Sequence, residues 1–146
     1  MGPGDKGEKG VNILKIGIII NTSLYERVSY ALSIGITYAA KGDEVYILFG
    51  NDGVRRLTKE RVDHPEPCID DEVSRDIKKG IEEGVVPKIS EQIAEFRRMG
   101  GKIYVCPSSM AIHNIILNDL IEDVDRVIGL YEFIELLGHD SKIIYV

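Results

Sequence analysis

Three short apolar runs, each closed by polar residues and separated by helix-like segments, constrain this chain more than any other feature. They are ILKIGIII (13–20), EVYILFG (44–50) and KIYVC (102–106). Their length and β-branched content fit strands buried on both faces better than helices. Between the first two, Leu24, Val28, Ala31, Leu32, Gly35, Ile36 and Ala39 recur on one side of a helix. Ser23 and Glu26 stand in capping-box spacing at its start, and Lys41-Gly42 closes it with glycine as a left-handed cap. After the second run, Asn51 or Asp52 caps a short helix with Val54 and Leu57 inward.

The segment 59–88 is charged, proline-bearing and weakly periodic, and reads as an excursion with one helix near 70–82. Periodicity returns with Ile89, Ile93, Phe96 and Met99, a helix opened at Ser90 and ended by Gly100-Gly101. Beyond the third run a short helix starts near Ser108, and NDLIEDV (118–124) reads as a helical turn. RVIG (126–129) is a brief strand. LYEFIELLG (130–138) is a helix with Leu130, Phe133, Ile134 and Leu137 inward, and KIIYV (142–146) is a last strand. Strands alternating with helices predict an α/β fold, with a mostly parallel sheet of about five strands covered on both faces and linked by right-handed crossovers. Ligands of such sheets bind outside the carboxyl ends of the strands. The loops NTSLYE, GNDG and CPSSM therefore face one edge.

The 146 residues suit one domain, residues 12–146, preceded by a leader at 1–11 whose Gly, Pro and charge content predicts disorder. That leader has no apolar core of a signal peptide, and no run approaches the length of a membrane span. The expectation is a cytoplasmic protein with no membrane contact. A net charge of −6 argues against nucleic acid as a partner. The basic cluster Arg55, Arg56, Lys59 and Arg61 reads as a solvated helix face.

No glycine-rich phosphate motif follows the first strand, so a dinucleotide cofactor is disfavoured, and a flavin would find only the NTS hydroxyls. His64 and Cys68 lie near Asp63, Glu66, Asp70 and Asp71 but lack the second ligand pair of a structural zinc site, so neither metal nor cofactor is expected. Ser108 and Ser109 have no nucleophile elbow, and only His113 is within sequence reach, at i,i+4 from Ser109.

Cys106 carries the strongest signal. Pro107 holds it extended and is itself a favoured first helical residue. The thiol then sits where unpaired N–H groups and a helix dipole stabilise a thiolate. C-P-S-S lacks a nearby resolving thiol, which favours a monothiol carrying a group covalently over dithiol exchange. The residues alone leave a buried, inert strand-end cysteine equally open. Cys68 sits among carboxylates that raise a thiol's pKa, and reads as unreactive.

The segments KIGIIINTSLYERVSYALSIGITYAAKGDEVYILFG, FGNDGVRRL and RRMGGKIYVCPSSMAIHNI, followed by DLIEDVDRVIGLYEFIELL and KIIYV, resemble the DsrE/DsrF-like family of YchN-type and Tus-type sulfur-relay proteins. The resemblance covers roughly residues 13–58 and 89–146. It implies a three-layer α/β/α sandwich, a homo-oligomer (trimer or hexamer), and sulfur held on a cysteine at the end of the third strand, the position of Cys106. Met110 also matches one branch. The expected function is a cytoplasmic sulfur carrier or sulfurtransferase that passes sulfane sulfur to a partner thiol, such as that of a small sulfur-carrier protein. Pro107, Ser108 and Ser109 shape the loop. Asn21, Thr22, Asn51 and Asp52 line the neighbouring loops, and His113 assists proton traffic. The alternative is a non-enzymatic oligomeric binding or assembly module on the same fold.

Overall fold

A computed structural model describes residues 12–146, so the leader at 1–11 lies outside the described residues. Strand β1 (Lys15–Ile20) leads into α1 (Tyr25–Ala40), β2 (Glu44–Phe49) and a 3-10 helix (Asn51–Leu57). Then come α2 (Asp71–Glu82), α3 (Ile89–Arg98), β3 (Lys102–Val105), α4 (Pro107–Ile112) and a second 3-10 turn (Leu117–Asp119). Strand β4 (Arg126–Val127), α5 (Leu130–Leu137) and β5 (Ser141–Tyr145) complete the fold. The five strands form one sheet in the order β4-β3-β2-β1-β5, every pairing parallel. All carboxyl ends therefore share one edge.

The register divides the sheet into two unlike faces. Ile16, Ile18 and Ile20 lie level with Val45, Ile47 and Phe49, and Ile47 and Phe49 with Ile103 and Val105. These residues form the main core with Val28 and Leu32 of α1 and with Ile93 and Phe96 of α3. The opposite face carries Ile19, Tyr46, Leu48 and Tyr104, packed with Phe133 and Leu137 of α5. Tyr46 and Tyr104 stack at 6.3 Å, and Tyr104 meets Phe133 edge-on at 6.2 Å. Here α5, only eight residues long, supplies the helical cover, and Gly17 lets it approach: a Cβ there would meet Leu137 Cδ1 at 2.4 Å. Ile143 and Tyr145, level with Gly17 and Ile19, remain exposed on this face. The second outer layer of the sandwich is thus thin.

Several local expectations give way to tertiary contacts. The capping box at α1 does not form. Leu24 is the cap residue, the Ser23 hydroxyl donates to Asp52, and Glu26 accepts the Ile69 N–H at 2.9 Å. Leu130, Ile134 and Met99 are exposed rather than inward. Of the turn expected at 118–124, only Asn118 and Asp119 are helical, within the 3-10 turn Leu117–Asp119. The chain beyond is held instead by Asp125, which accepts the Ile103 N–H at 2.8 Å and pairs with Arg97 at 2.7 Å. The helix expected near 70–82 is present, with Asp70 accepting the Val73 N–H at 2.9 Å as its cap.

The basic cluster is not one solvated face: Arg56 is fully buried. In a 3-10 helix residues three apart eclipse, so Arg56 lies over Gly53, which packs against β1. A Cβ on Gly53 would stand 2.5 Å from the Ile20 carbonyl oxygen. The guanidinium lies 5.2 Å from the Tyr25 ring centroid. It donates twice to the Ser23 carbonyl and to the carbonyls of Arg61, His64 and Pro67. This side chain therefore ties the loop after β1 to the first third of the 59–88 excursion.

Candidate functional site

Cys106 extends the β3 ladder by one residue, its N–H donating to the Phe49 carbonyl at 3.0 Å. Strand alternation turns its side chain to the thinly covered face, where it packs beside the Leu48–Tyr104 cluster, half-buried. Its backbone is extended (φ −79°, ψ 123°), as a following proline requires, and Pro107 opens α4. Burial pushes the thiol pKa up. The nearby Ser108 and Ser109 hydroxyls and N–H groups, as donors, together outweigh it, and the net position is below that of an ordinary cysteine. Ser108 Oγ lies 3.2 Å from Sγ. The helix expected to favour the thiolate is only six residues long. The stabilisation comes from these local donors.

Ser109 is buried and held from across the sheet edge. The Asn51 N–H donates to its Oγ at 2.7 Å, which leaves the hydroxyl hydrogen free to donate elsewhere. Asn51 adopts a left-handed conformation (φ 42°), tolerated by asparagine better than by most residues. Gly50 completes the junction: a Cβ there would lie 3.6 Å from Asn21 Oδ1 and 3.9 Å from Ser109 Oγ. The loops after β1, β2 and β3 meet at this point.

A second chain of contacts borders the first. Asp52 accepts the Ser23 hydroxyl at 2.5 Å and pairs with Arg55 at 3.3 Å. Arg55 Nε and Nη2 lie 3.2 and 3.1 Å from His113 Nδ1. With Nδ1 accepting, the imidazole hydrogen sits on Nε2. His113 makes no hydrogen bond to Cys106 among the described residues, and its link to Ser109 is the backbone bond that closes α4.

The remaining expected site residues, Asn21, Thr22 and Met110, make no side-chain hydrogen bond to the thiol among the described residues. Asn21 donates to the Tyr145 hydroxyl at 2.5 Å. Thr22 Oγ1 accepts the Leu24 N–H at 3.1 Å, a local turn rather than a site contact. Met110 points into the main core, because the face of α4 opposite the exposed Pro107 and Ser108 packs on the sheet. Cys68 donates to the Pro65 carbonyl at 3.1 Å. Burial first, and then the Glu26 carboxylate, push its thiol up to about 11. Sequence reasoning missed Arg56 and Gly50. The three-residue spacing of Gly53 and Arg56 was the available signal for the first.

Two open cavities flank Arg55. One, of about 740 Å³, is bordered by His64, Cys68 and Asp70. The other, of about 590 Å³, is bordered by Lys59, Arg61, His113 and Asp119. Cys106 lines neither. Among the described residues no helix is long and apolar enough to cross a membrane.

A parallel α/β protein whose single strand-end thiol is met by loops from three neighbouring strands is the class these features define. The chain belongs to the DsrE/DsrF-like family, whose model matches residues 14–146. The family is associated with sulfur relay. Among solved structures, it is similar to the YchN protein of E. coli, with a TM-score of 0.66 and 14% identity over 92% of this chain and 100% of that one. It is also similar to MTH1491 of Methanobacterium thermoautotrophicum, described as a protein of unknown function. That match has a TM-score of 0.65 and 14% identity over 91% and 99% of the two chains. These likenesses carry the fold. No curated protein matches.

Proposed function

We propose that this protein is a sulfur carrier in which Cys106 receives sulfane sulfur and passes it to a partner thiol. The observation that carries the reading is Ser108 Oγ at 3.2 Å from Sγ, which with the nearby Ser109 hydroxyl and N–H groups favours the nucleophilic thiolate at a half-exposed position. In the loading step the thiolate attacks the terminal sulfur of a persulfide, R–S–SH. A new S–S bond forms on Cys106, the old one breaks, and the leaving thiolate R–S⁻ takes up a proton from solvent. Unloading repeats the exchange with an acceptor thiolate attacking the outer sulfur, so no external oxidant or reductant enters. Ser109, oriented by Asn51, stabilises the thiolate that attacks and later leaves.

The protein acts as a homo-oligomer, a trimer or hexamer, and hands sulfur to a small carrier protein. What supports assembly is the thinly covered sheet face, where Tyr131 and Tyr145 are 80% and 68% exposed beside Leu130, Ile134 and Ile143. The test is intact-mass spectrometry after incubation with a low-molecular-weight persulfide. The wild type gains the mass of a sulfur atom, reversed by a thiol reductant, and Cys106→Ser gains nothing. An equal gain in Cys106→Ser, or none in the wild type, overturns the proposal. The result would then favour a binding module with an inert cysteine.

A further inference from the structure

The cavity of about 590 Å³ beside α4 is charged unlike the rest of the molecule. Against a chain of net charge −6, its rim carries Arg55, Lys59 and Arg61 opposite Glu60 and Asp119, with His113 closing one end. Several of these charges are already committed, and that decides what remains to meet a ligand. Asp119 accepts the Ile116 N–H at 3.0 Å, so one of its oxygens is occupied. Arg55 uses Nε and Nη2 on Asp52 and His113, leaving Nη1 without a partner among the described residues. His113 accepts from Arg55 at Nδ1, which leaves its Nε2–H as a donor. Arg61 has no ion pair among the described residues, and Lys59 makes one bond, to the Asn118 carbonyl at 2.9 Å.

The walls are preformed. The buried Arg56 holds the Arg61 and His64 carbonyls at 2.8 and 2.6 Å, which fixes the backbone from which Arg61 projects. The Lys59 N–H donates to the Asp119 carbonyl at 2.8 Å across the opening.

We propose that this cavity is a binding subsite for a small tetrahedral oxyanion. Its free donors come from four side chains: Nη1 of Arg55, Nζ of Lys59, the guanidinium of Arg61, unpaired among the described residues, and Nε2 of His113. A dianion with four oxygens can engage donors from all four side chains, whereas a carboxylate brings two oxygens and one charge. Donors arriving separately from several side chains suit oxygens disposed tetrahedrally around one centre. The subsite borders the thiol region: His113 closes the same short helix that Cys106 caps, and its N–H donates to the Ser109 carbonyl. The site is independent of any chemistry at Cys106.

The experiment is a titration of the full-length, 15N-labelled protein with sodium sulfate, sodium thiosulfate and sodium acetate at constant ionic strength, followed by amide shifts. Sulfate and thiosulfate are expected to shift residues 59–61 and 113 saturably, with acetate at least about tenfold weaker. Lys59→Ala combined with Arg61→Ala, both exposed positions, is expected to weaken the oxyanions by at least about tenfold while leaving distant amides in place. Cys106→Ser is expected to bind as wild type does. Non-saturating shifts, equal affinity for acetate, or unchanged binding in the double variant would each overturn the subsite. So would loss of binding in Cys106→Ser, which would move the ligand to the thiol. Failure of sulfur loading on Cys106 leaves all these readouts intact, so the two proposals fail separately.

Discussion

Replacing Arg56 by alanine should be the most damaging single change outside the hydrophobic core. Arg56 makes five hydrogen bonds to four backbone carbonyls, and the Ser23 oxygen, which receives two of them, is buried. An orphaned buried acceptor costs about 1–3 kcal/mol. The Arg61, His64 and Pro67 carbonyls are partly accessible and recover some of their bonds from water, so each adds less. Loss of the fully buried side chain, whose guanidinium lies over the Tyr25 ring, adds a void. The total is about 3–5 kcal/mol, from one fully orphaned acceptor, three partly rehydrated ones and the void. With a urea m-value near 2 kcal/mol/M for a small domain, the midpoint should fall by about 2 M. Arg56→Lys keeps the charge but not the planar fork, and should recover roughly half of the loss. The assay is urea unfolding by circular dichroism, paired with limited proteolysis of residues 59–70, which should be cut first. A midpoint for Arg56→Ala within about 0.5 M of wild type, with no new cleavage, would refute the reasoning. It would mean that desolvating the guanidinium, which already lowers its pKa, costs as much as its hydrogen bonds return.

The remaining predictions concern the thiols, the packing at the site and assembly. Cys106 alkylation should be half-maximal at a pH below that of free cysteine, because the donors favour the charged form. Ser109→Ala removes one of them and should move the midpoint upward; an unmoved midpoint would mean that Ser109 does not bond sulfur. Cys68, pushed up to about 11, stays protonated at pH 8, so a limiting alkylating reagent should label Cys106 and spare Cys68, as read by peptide mass spectrometry. Gly53→Ala drives a Cβ into the Ile20 carbonyl oxygen, a backbone atom that cannot swing away. It should lower stability by about 1–3 kcal/mol in the same urea assay and slow Cys106 alkylation by shifting Asn51 off Ser109. Light scattering at micromolar concentration should give an oligomer, and Tyr131→Asp with Ile134→Asp should give a monomer.

The elements most legible in the sequence are those whose evidence is local. Strands β1, β2 and β3 announce themselves as apolar runs because both of their faces are buried, and α2 carries its own cap in Asp70. The extended backbone at Cys106 is dictated by its neighbour Pro107. Readings failed where a distant group claimed the residue. Ser23 looked like a helix cap, but Asp52, 29 positions on, takes its hydroxyl. Leu130 and Ile134 have the spacing of an inward face, yet a single short helix on a broad sheet leaves part of its apolar side uncovered. Arg56 carried the composition of a surface residue and is buried because carbonyls of the loop after β1 and of the segment following its own helix converge on it.

The amino-acid order by itself determined the parallel α/β class, the edge on which the three loops emerge and the strand-end place of Cys106, since each depends on residues within a few positions of one another. Only the tertiary structure decided which face the thiol turns to, and that Asn51, 58 positions before Ser109, holds the Ser109 hydroxyl. It also decided that Arg55, Lys59, Arg61 and His113 share one cavity. Those outcomes rest on sheet register and on hydrogen bonds between loops far apart in the chain, and no local periodicity encodes the partners of such bonds.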